Sequence, residues 1–383
     1  MSEWKSVFVE DLKKDSPNAL STGPFGSSIS SKYFVDNGVP VIRGGNLSAN
    51  ISHRLIEEGL VFVSHQKAEE FERSIVRVGD LIFTCWGTIN QIGFIDGKGS
   101  YKEYIISNKQ MKLTTDPQKA DSLFLYYLFS SPDFQQRILN NNIGSSVPGF
   151  NLGQLKRMEI TIPPLPEQRA IAAILSSLDD KIDLLHRQNA TLEAMAEAVF
   201  RQWFVVEARE EWGEGTLGDL VEFNYGKTLR DSERSGGGYP VYGSSGIVGY
   251  HSEYYVSGPG IITGRKGTLG VINYSFDNFF PIDTTFYITS KRDSQGLFFE
   301  YCLLKTQNLT EMNSDSAVPG LNRNLAHGIQ LLIPPKELAD EFNLIAEPIF
   351  LKIRYNQTQI HTLTALRDTL LPKLMSGEVR VKM

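Results

Sequence analysis

Two stretches of this chain write the same loop, strand and double proline. Residues 145–168 read SSVPGFNLGQLKRMEITIPPLPEQ, and residues 316–335 read SAVPGLNRNLAHGIQLLIPP. Ser145 and Ser316 stand 171 residues apart, as do Pro163 and Pro334, so nothing has been inserted between the copies. A constant offset marks a unit under geometric constraint and limits the fold to matched modules. The register continues past the prolines, where Lys181-Ile182 meets Lys352-Ile353 and TLEA (191–194) meets TLTA (362–365).

Both continuations have the pattern of long helices. In the first, Ile171, Leu175, Leu178, Ile182, Leu185, Asn189, Leu192, Ala196, Val199 and Trp203 recur at alternating spacings of four and three. The same positions in the second are Phe342, Ala346, Ile349, Ile353, Asn356, Ile360, Leu363, Arg367, Leu370 and Leu374. Such a stripe packs a lone helix on its own domain or forms a coiled-coil seam; two matched copies favour pairing with each other. Asn189 and Asn356 are the polar interruptions expected to fix register. Asn189 is repeat-equivalent to Ile360, so internal symmetry alone does not bring the two asparagines together.

The segments before each helix differ in character. Residues 1–150 and 212–320 are short β-branched and aromatic runs broken by turns such as DNG, RGGN, SGGG and SGPG, the pattern of irregular α+β domains. They also match each other: WKSVFVEDL with WGEGTLGDL, GVPVI with GYPVY, GDLIFTCWGT with PGIITGRKGT, and LFLYYL with LFFEYC. The offset drifts from 208 to 174 along this series, so the domains share a fold while their loops differ, the second being shorter.

The proline junction has its own logic. Pro163 and Pro164 cannot serve as interior strand residues and disfavour helix before them. Pro166 followed by Glu167 suits a first helical turn, where no N–H is lost and a carboxylate meets the helix dipole. The junction is therefore expected to be a rigid corner.

Several chemistries are missing. Gly226-Lys227-Thr228 ends like a phosphate-binding loop, but its first glycine position holds Val221. The six histidines show no metal-ligand spacing, YGSSG lacks a nucleophile-elbow pattern, and Asp179-Asp180 is expected on a solvated outer helix face. Cys85 and Cys302 are expected to be buried thiols in a reducing compartment. The N-terminal stretch is too charged for a signal peptide, and no run approaches the ~20 apolar residues of a membrane span. The net charge of −6 is concentrated in residues 163–215, with 5 basic against 10 acidic residues, whereas residues 1–162 balance at 17 each.

On the SSVPGFN…MEITIPPLPEQRAIAAILSSLDDKI block and its degenerate copy at 316–353, the chain resembles the specificity (S) subunits of type I restriction–modification systems. The resemblance spans essentially the whole chain. The second copy departs from the pattern after Pro335, reading KELADEF in place of LPEQRAI. The resemblance implies an α+β fold: two tandem target recognition domains separated and followed by long helices forming an antiparallel coiled coil. The domains would be 1–162 and 207–333, and the spacer helices 163–206 and 334–383. Each domain would read half of a split target, with the helices as a ruler between halves. The implied partners are double-stranded DNA, two DNA methyltransferase (modification) subunits and restriction/translocase subunits. The chain itself would be non-catalytic, cytoplasmic and free of membrane. It would bind no cofactor, with S-adenosylmethionine, ATP and Mg carried by the partners. The alternative is a tandem-domain scaffold on a coiled coil that does not bind DNA, which the near-neutral domains would suit.

Base reading requires Arg, Lys, Asn, Gln, Ser or Thr on loops. The candidates in the first domain are Arg43 and Asn46 (IRGGN), Trp86 and Thr88 (CWGT) and Lys109 (SNKQ). In the second they are Tyr242 and Ser244 (VYGSSG), Arg265, Lys266 and Thr268 (GRKGT) and Arg323 (GLNRN). GRKGT and CWGT are expected at equivalent positions, as are IRGGN and YGSSG.

Overall fold

The computed structural model describes residues 4–144, 146–292, 296–312 and 320–381. Ser145 and residues 316–319, which begin the two repeated loops, lie outside the described residues. The chain divides into two compact units, residues 1–184 with 360–383 (unit 1) and residues 185–359 (unit 2). The division passes through both long helices, Leu165–Arg201 and Lys336–Ser376. Each unit thus contains one α+β domain and part of each helix.

Unit 1 is built on a four-stranded antiparallel sheet in the order Leu20–Thr22, Gln110–Thr114, Asp80–Thr84, Ile92–Phe94. The strand Asp80–Thr84 is buried on both faces. Side chains alternate along a strand. Leu81 and Phe83 therefore enter one core with Phe124 and Phe129 of the helix Ser122–Ser130, while Ile82 enters another with Ile42, Val76 and Tyr104. The second core lies against a five-stranded sheet, in which Val39–Ile42 and Glu103–Ile106 run parallel.

Unit 2 repeats the plan. Its four-stranded sheet has the order Val221–Tyr225, Thr285–Ser290, Gly260–Gly264, Ile272–Ser275, all antiparallel. Ile261 and Ile262 again point into different cores. The second sheet has three strands here, with Tyr239–Gly243 parallel to Phe280–Pro281. The shorter second sheet accounts for the drifting offset between the domains. A strand pair closes each domain against its junction, Lys5–Phe8 with Glu159–Ile162 and Gly213–Thr216 with Gln330–Ile333.

The two junctions are fastened differently. At the first, Gln168 is buried. Its Nε2 donates to the Pro163 carbonyl at 2.8 Å, and its Oε1 accepts from the Asp121 amide, at the start of the helix Ser122–Ser130, at 2.9 Å. Glu167, also buried, accepts two hydrogen bonds from Arg380 at 2.5 and 2.7 Å. The second copy has Leu338 and Ala339 at these positions. Asn343, one helical turn later, takes over: its Oδ1 accepts from the amide of Phe299, in the matching helix Phe298–Thr306, at 2.8 Å. The departure to KELADEF thus removes one anchor, and the following turn supplies another.

No seam position of either helix is exposed. The pairing is antiparallel, since within unit 1 Glu167 meets Arg380 while Asp179 meets Arg367 at 2.8 Å. Within unit 2 the amide of Asn356 donates to Oδ1 of Asn189 at 2.9 Å.

The expectation of an outer, solvated Asp179-Asp180 pair holds for Asp180 alone, which is exposed and meets Lys98 at 2.5 Å. Asp179 is only 6% exposed and lies between Arg367 and the Tyr127 hydroxyl, which donates to it at 2.6 Å. Arg54 extends the network, donating to Tyr127 at 3.2 Å and pairing with Asp96 at 3.0 Å. Burial, together with the charge of Asp179, drives the Tyr127 phenol up, so it remains a donor. The physical reason for the correction is the seam's Arg367: a buried guanidinium requires a partner, and Asp179 faces it. In unit 2 the residue equivalent to Asp179 is Phe350, whose ring stacks 4.6 Å from Phe298.

Candidate nucleic-acid interface

The main chain assembles the same loop cluster in both units. The Ser107 amide donates to the Ile42 carbonyl at 3.0 Å, and that of Ile282 to Tyr242 at 2.9 Å. Cys85 donates to Lys109 at 2.7 Å, and Arg265 to Thr284 at 2.8 Å. Phe150 donates to Cys85 and Leu321 to Arg265, both at 2.9 Å. Gly23 donates to Gln110 at 3.0 Å, and Gly226 to Thr285 at 3.2 Å. These last two glycines are needed for close approach: a Cβ on Gly23 would lie 1.9 Å from the Ser107 oxygen, and one on Gly226 2.1 Å from that of Ile282. CWGT and GRKGT therefore occupy the same place, as do the loops after Ile42 and Tyr242. Gly87 and Gly267 turn both loops with left-handed φ values of 92° and 87°.

In unit 1 this cluster presents Trp86, Thr88, Lys109 and Arg43, all exposed. The Trp86 ring lies across Gly149, where a Cβ would come within 2.6 Å of it. Arg43 donates from Nη2 to the Gly59 carbonyl at 2.9 Å. Asn46 corrects the expectation of a reading residue. It is 3% exposed, and its amide brackets its own loop, donating to the carbonyls of Ile56 and Glu58 at 3.0 and 3.2 Å and accepting from the Arg43 amide at 2.9 Å. Phe25 carried no pattern in the sequence, yet it is 72% exposed, with the Arg73 guanidinium 5.5 Å from its ring.

In unit 2 three of the predicted residues line one cleft of about 280 Å³: Arg265, Lys266 and Arg323, together with Tyr225, Phe286 and Asn322. The exposed Tyr225 ring has the Arg265 guanidinium 5.5 Å from its centre and that of Arg323 at 5.7 Å. Arg265 is braced, donating from Nε and Nη2 to the Asp283 carbonyl at 2.9 and 2.7 Å. Arg323 is held loosely, with Nη1 3.4 Å from the Phe223 carbonyl and Nη2 3.4 Å from Glu222. Lys291, 3.1 Å from Glu222, holds that carboxyl below its usual range, so it is ionised beside Arg323. Burial lowers the neighbouring His327.

Lys266 and Thr268 are exposed, and Ser244 is half-buried beside them. Tyr242 corrects its expectation: it is 6% exposed and packs edge-to-face on Phe279 at 5.8 Å, a core residue pointing away from the loop that follows it. Tyr225 escaped sequence reasoning because a lone aromatic at a strand end carries no pattern.

The equivalent positions in unit 1 are chemically different. Thr22 stands for Tyr225, Cys85 for Arg265, Trp86 for Lys266 and Leu152 for Arg323. One backbone thus displays a cationic, aromatic cleft in unit 2 and an uncharged surface at the same positions in unit 1. Among the described residues there is no cluster of His, Cys, Asp or Glu able to hold a metal ion, and no helix is long and apolar enough to cross a membrane.

The chain matches the family model described as type I restriction modification DNA specificity domain over residues 1–194 and 209–360. It is 24% identical to the type I restriction enzyme MjaIX specificity subunit of Methanocaldococcus jannaschii, across 99% of this chain and 98% of that one. It is 21% identical to the HindI specificity subunit of Haemophilus influenzae, across 99% and 100% of the two chains. The crystal structure of a type I restriction-modification S subunit from M. genitalium has the same fold, with a TM-score of 0.62 at 21% identity, covering 99% of this chain and 96% of that one.

Proposed function

Since this chain belongs to the type I restriction modification DNA specificity family, we propose that units 1 and 2 each read one half of a split DNA target. The chain is the non-catalytic specificity subunit of its system, and its partners are DNA and the methyltransferase and restriction subunits. The observation that carries the two-reader assignment is the set of main-chain bonds that the two loop clusters share, set against the difference in their side chains. A duplicated reader with altered reading residues addresses two different sequences, as an asymmetric bipartite site requires.

The finer parts of this reading are that two modification subunits dock on the chain and that S-adenosylmethionine, ATP and Mg are carried by the partners. The buried, unpaired thiols Cys85 and Cys302 favour a reducing cytoplasm. Among the sequence-predicted residues, Arg43, Trp86, Thr88, Lys109, Ser244, Arg265, Lys266, Thr268 and Arg323 remain assigned to the DNA face; Asn46 and Tyr242 shape the loops behind it.

The test is binding of the assembled complex to duplex DNA across a salt series, with methylation sequencing of cells that express the chain and its modification subunit. Affinity that falls steeply with salt, together with a bipartite adenine motif, supports the reading. Salt-insensitive binding with no motif rejects it.

A further inference from the structure

We propose that unit 2 reads a guanine in its half of the target, with Arg323 and Lys266 donating to the O6 and N7 edge of that base. The inference rests on the DNA-specifying role argued above and names what one of the two readers recognises. Arginine and lysine are the side chains that match the paired acceptors of guanine in the major groove. The three cations of the cleft are not equivalent. Arg265 is bound through two of its nitrogens to the Asp283 carbonyl, so it forms the wall of the site. Among the described residues Arg323 makes its polar contacts at 3.4 Å, near the outer limit of a hydrogen bond, so its fork can turn to a ligand at little cost. The Tyr225 ring lies against both guanidiniums and limits the freedom that Arg323 loses on binding. Lys266 stands exposed on the same cleft.

A base edge fits this cleft better than a phosphate does. Glu222 lies 3.4 Å from Arg323, so a phosphate drawn to that guanidinium would approach a carboxylate. The acceptor edge of guanine carries no net charge and meets a much weaker repulsion. The feature is confined to unit 2, since unit 1 has Leu152 and Trp86 where unit 2 has Arg323 and Lys266.

The experiment is methylation sequencing in cells expressing the full chain with its modification subunits, comparing wild type with Arg323→Ala and Lys266→Ala. The expected wild-type motif contains a guanine in one half. Each variant should lower the preference for that guanine about ten-fold or more, leaving the other half unchanged. Arg323→Lys, which keeps the charge without the fork, should fall between. A uniform fall in methylation with the motif unaltered would mark a phosphate contact and overturn the inference, as would relaxation at a position that is not G·C. A wild-type complex with no bipartite motif would overturn the DNA-specifying role itself, a distinguishable result. Should Arg323→Ala fail to assemble with the modification subunits, the exposed Lys266→Ala decides the matter alone.

Discussion

Asn356 donates its side-chain amide to Asn189 at 2.9 Å inside the unit 2 helix pair, although the two residues are not related by the internal repeat. The bond is made at a seam otherwise filled by Leu185, Ala196, Ala346 and Ile353. It satisfies only part of what is buried, because the side-chain oxygen Oδ1 of Asn356 has no partner among the described residues. A pair of this kind specifies register at some cost in stability. Asn356→Leu alone should destabilise unit 2 by ~1–3 kcal/mol, because the accepting Oδ1 of Asn189 loses its donor. Replacing both residues with Leu should restore or exceed wild-type stability and add oligomers or shifted pairings. Urea unfolding and sedimentation velocity measure the two effects; a double variant less stable than the single one would refute the assignment.

The buried ion pair of unit 1 should behave in the same asymmetric way. Arg367→Met takes the ion-pair partner from buried Asp179, leaving it the Tyr127 hydroxyl, and should cost ~3–5 kcal/mol. Adding Asp179→Leu should recover much of that loss, since a buried pair replaced by apolar groups is often close to neutral. A double-mutant cycle by denaturant unfolding gives the coupling directly.

The helix-to-domain anchors supply a local readout. Gln168→Ala removes the acceptor of the Asp121 amide, and Asn343→Ala that of Phe299. Each should cost ~1–3 kcal/mol and speed amide hydrogen exchange at the affected position. Exchange rates that remain at wild-type values at Asp121 and Phe299 would show that the two side chains do not anchor those helices.

Burial pushes the Cys85 thiol up to about 11 and the Cys302 thiol up to about 12. At pH 8 roughly one thiol in a thousand or fewer is then thiolate. Iodoacetamide should leave the native protein unlabelled at pH 8 and modify both cysteines once urea unfolds it. Mass spectrometry reads the result, and rapid native labelling of either residue would contradict the packing described.

What was legible in the sequence was whatever repeats or recurs. The spacing of Ile171 to Trp203 and its image at 342–374 gave the helix pair, and the proline corner gave the place where each helix leaves its strand. The drifting matches gave two domains of one topology. Features that depend on a single side chain's direction were not legible. Asp179 looked solvated because charge is usually outside, and only the packed structure puts Arg367 against it. Asn46 and Tyr242 have the right chemistry for reading DNA, but one bends into its own loop and the other points into the core. Tyr225 gave no signal because its role comes from Arg265 and Arg323, which lie 40 and 98 positions away in the sequence.

Gln168 and Asn343 fasten their helices to peptide groups of the neighbouring domain, the amides of Asp121 and Phe299. A clasp that grips only main chain is blind to the side chains it holds. Any domain that keeps the same helix start can be exchanged or mutated freely without loosening the clasp, so the address can be rewritten while the mounting stays unchanged.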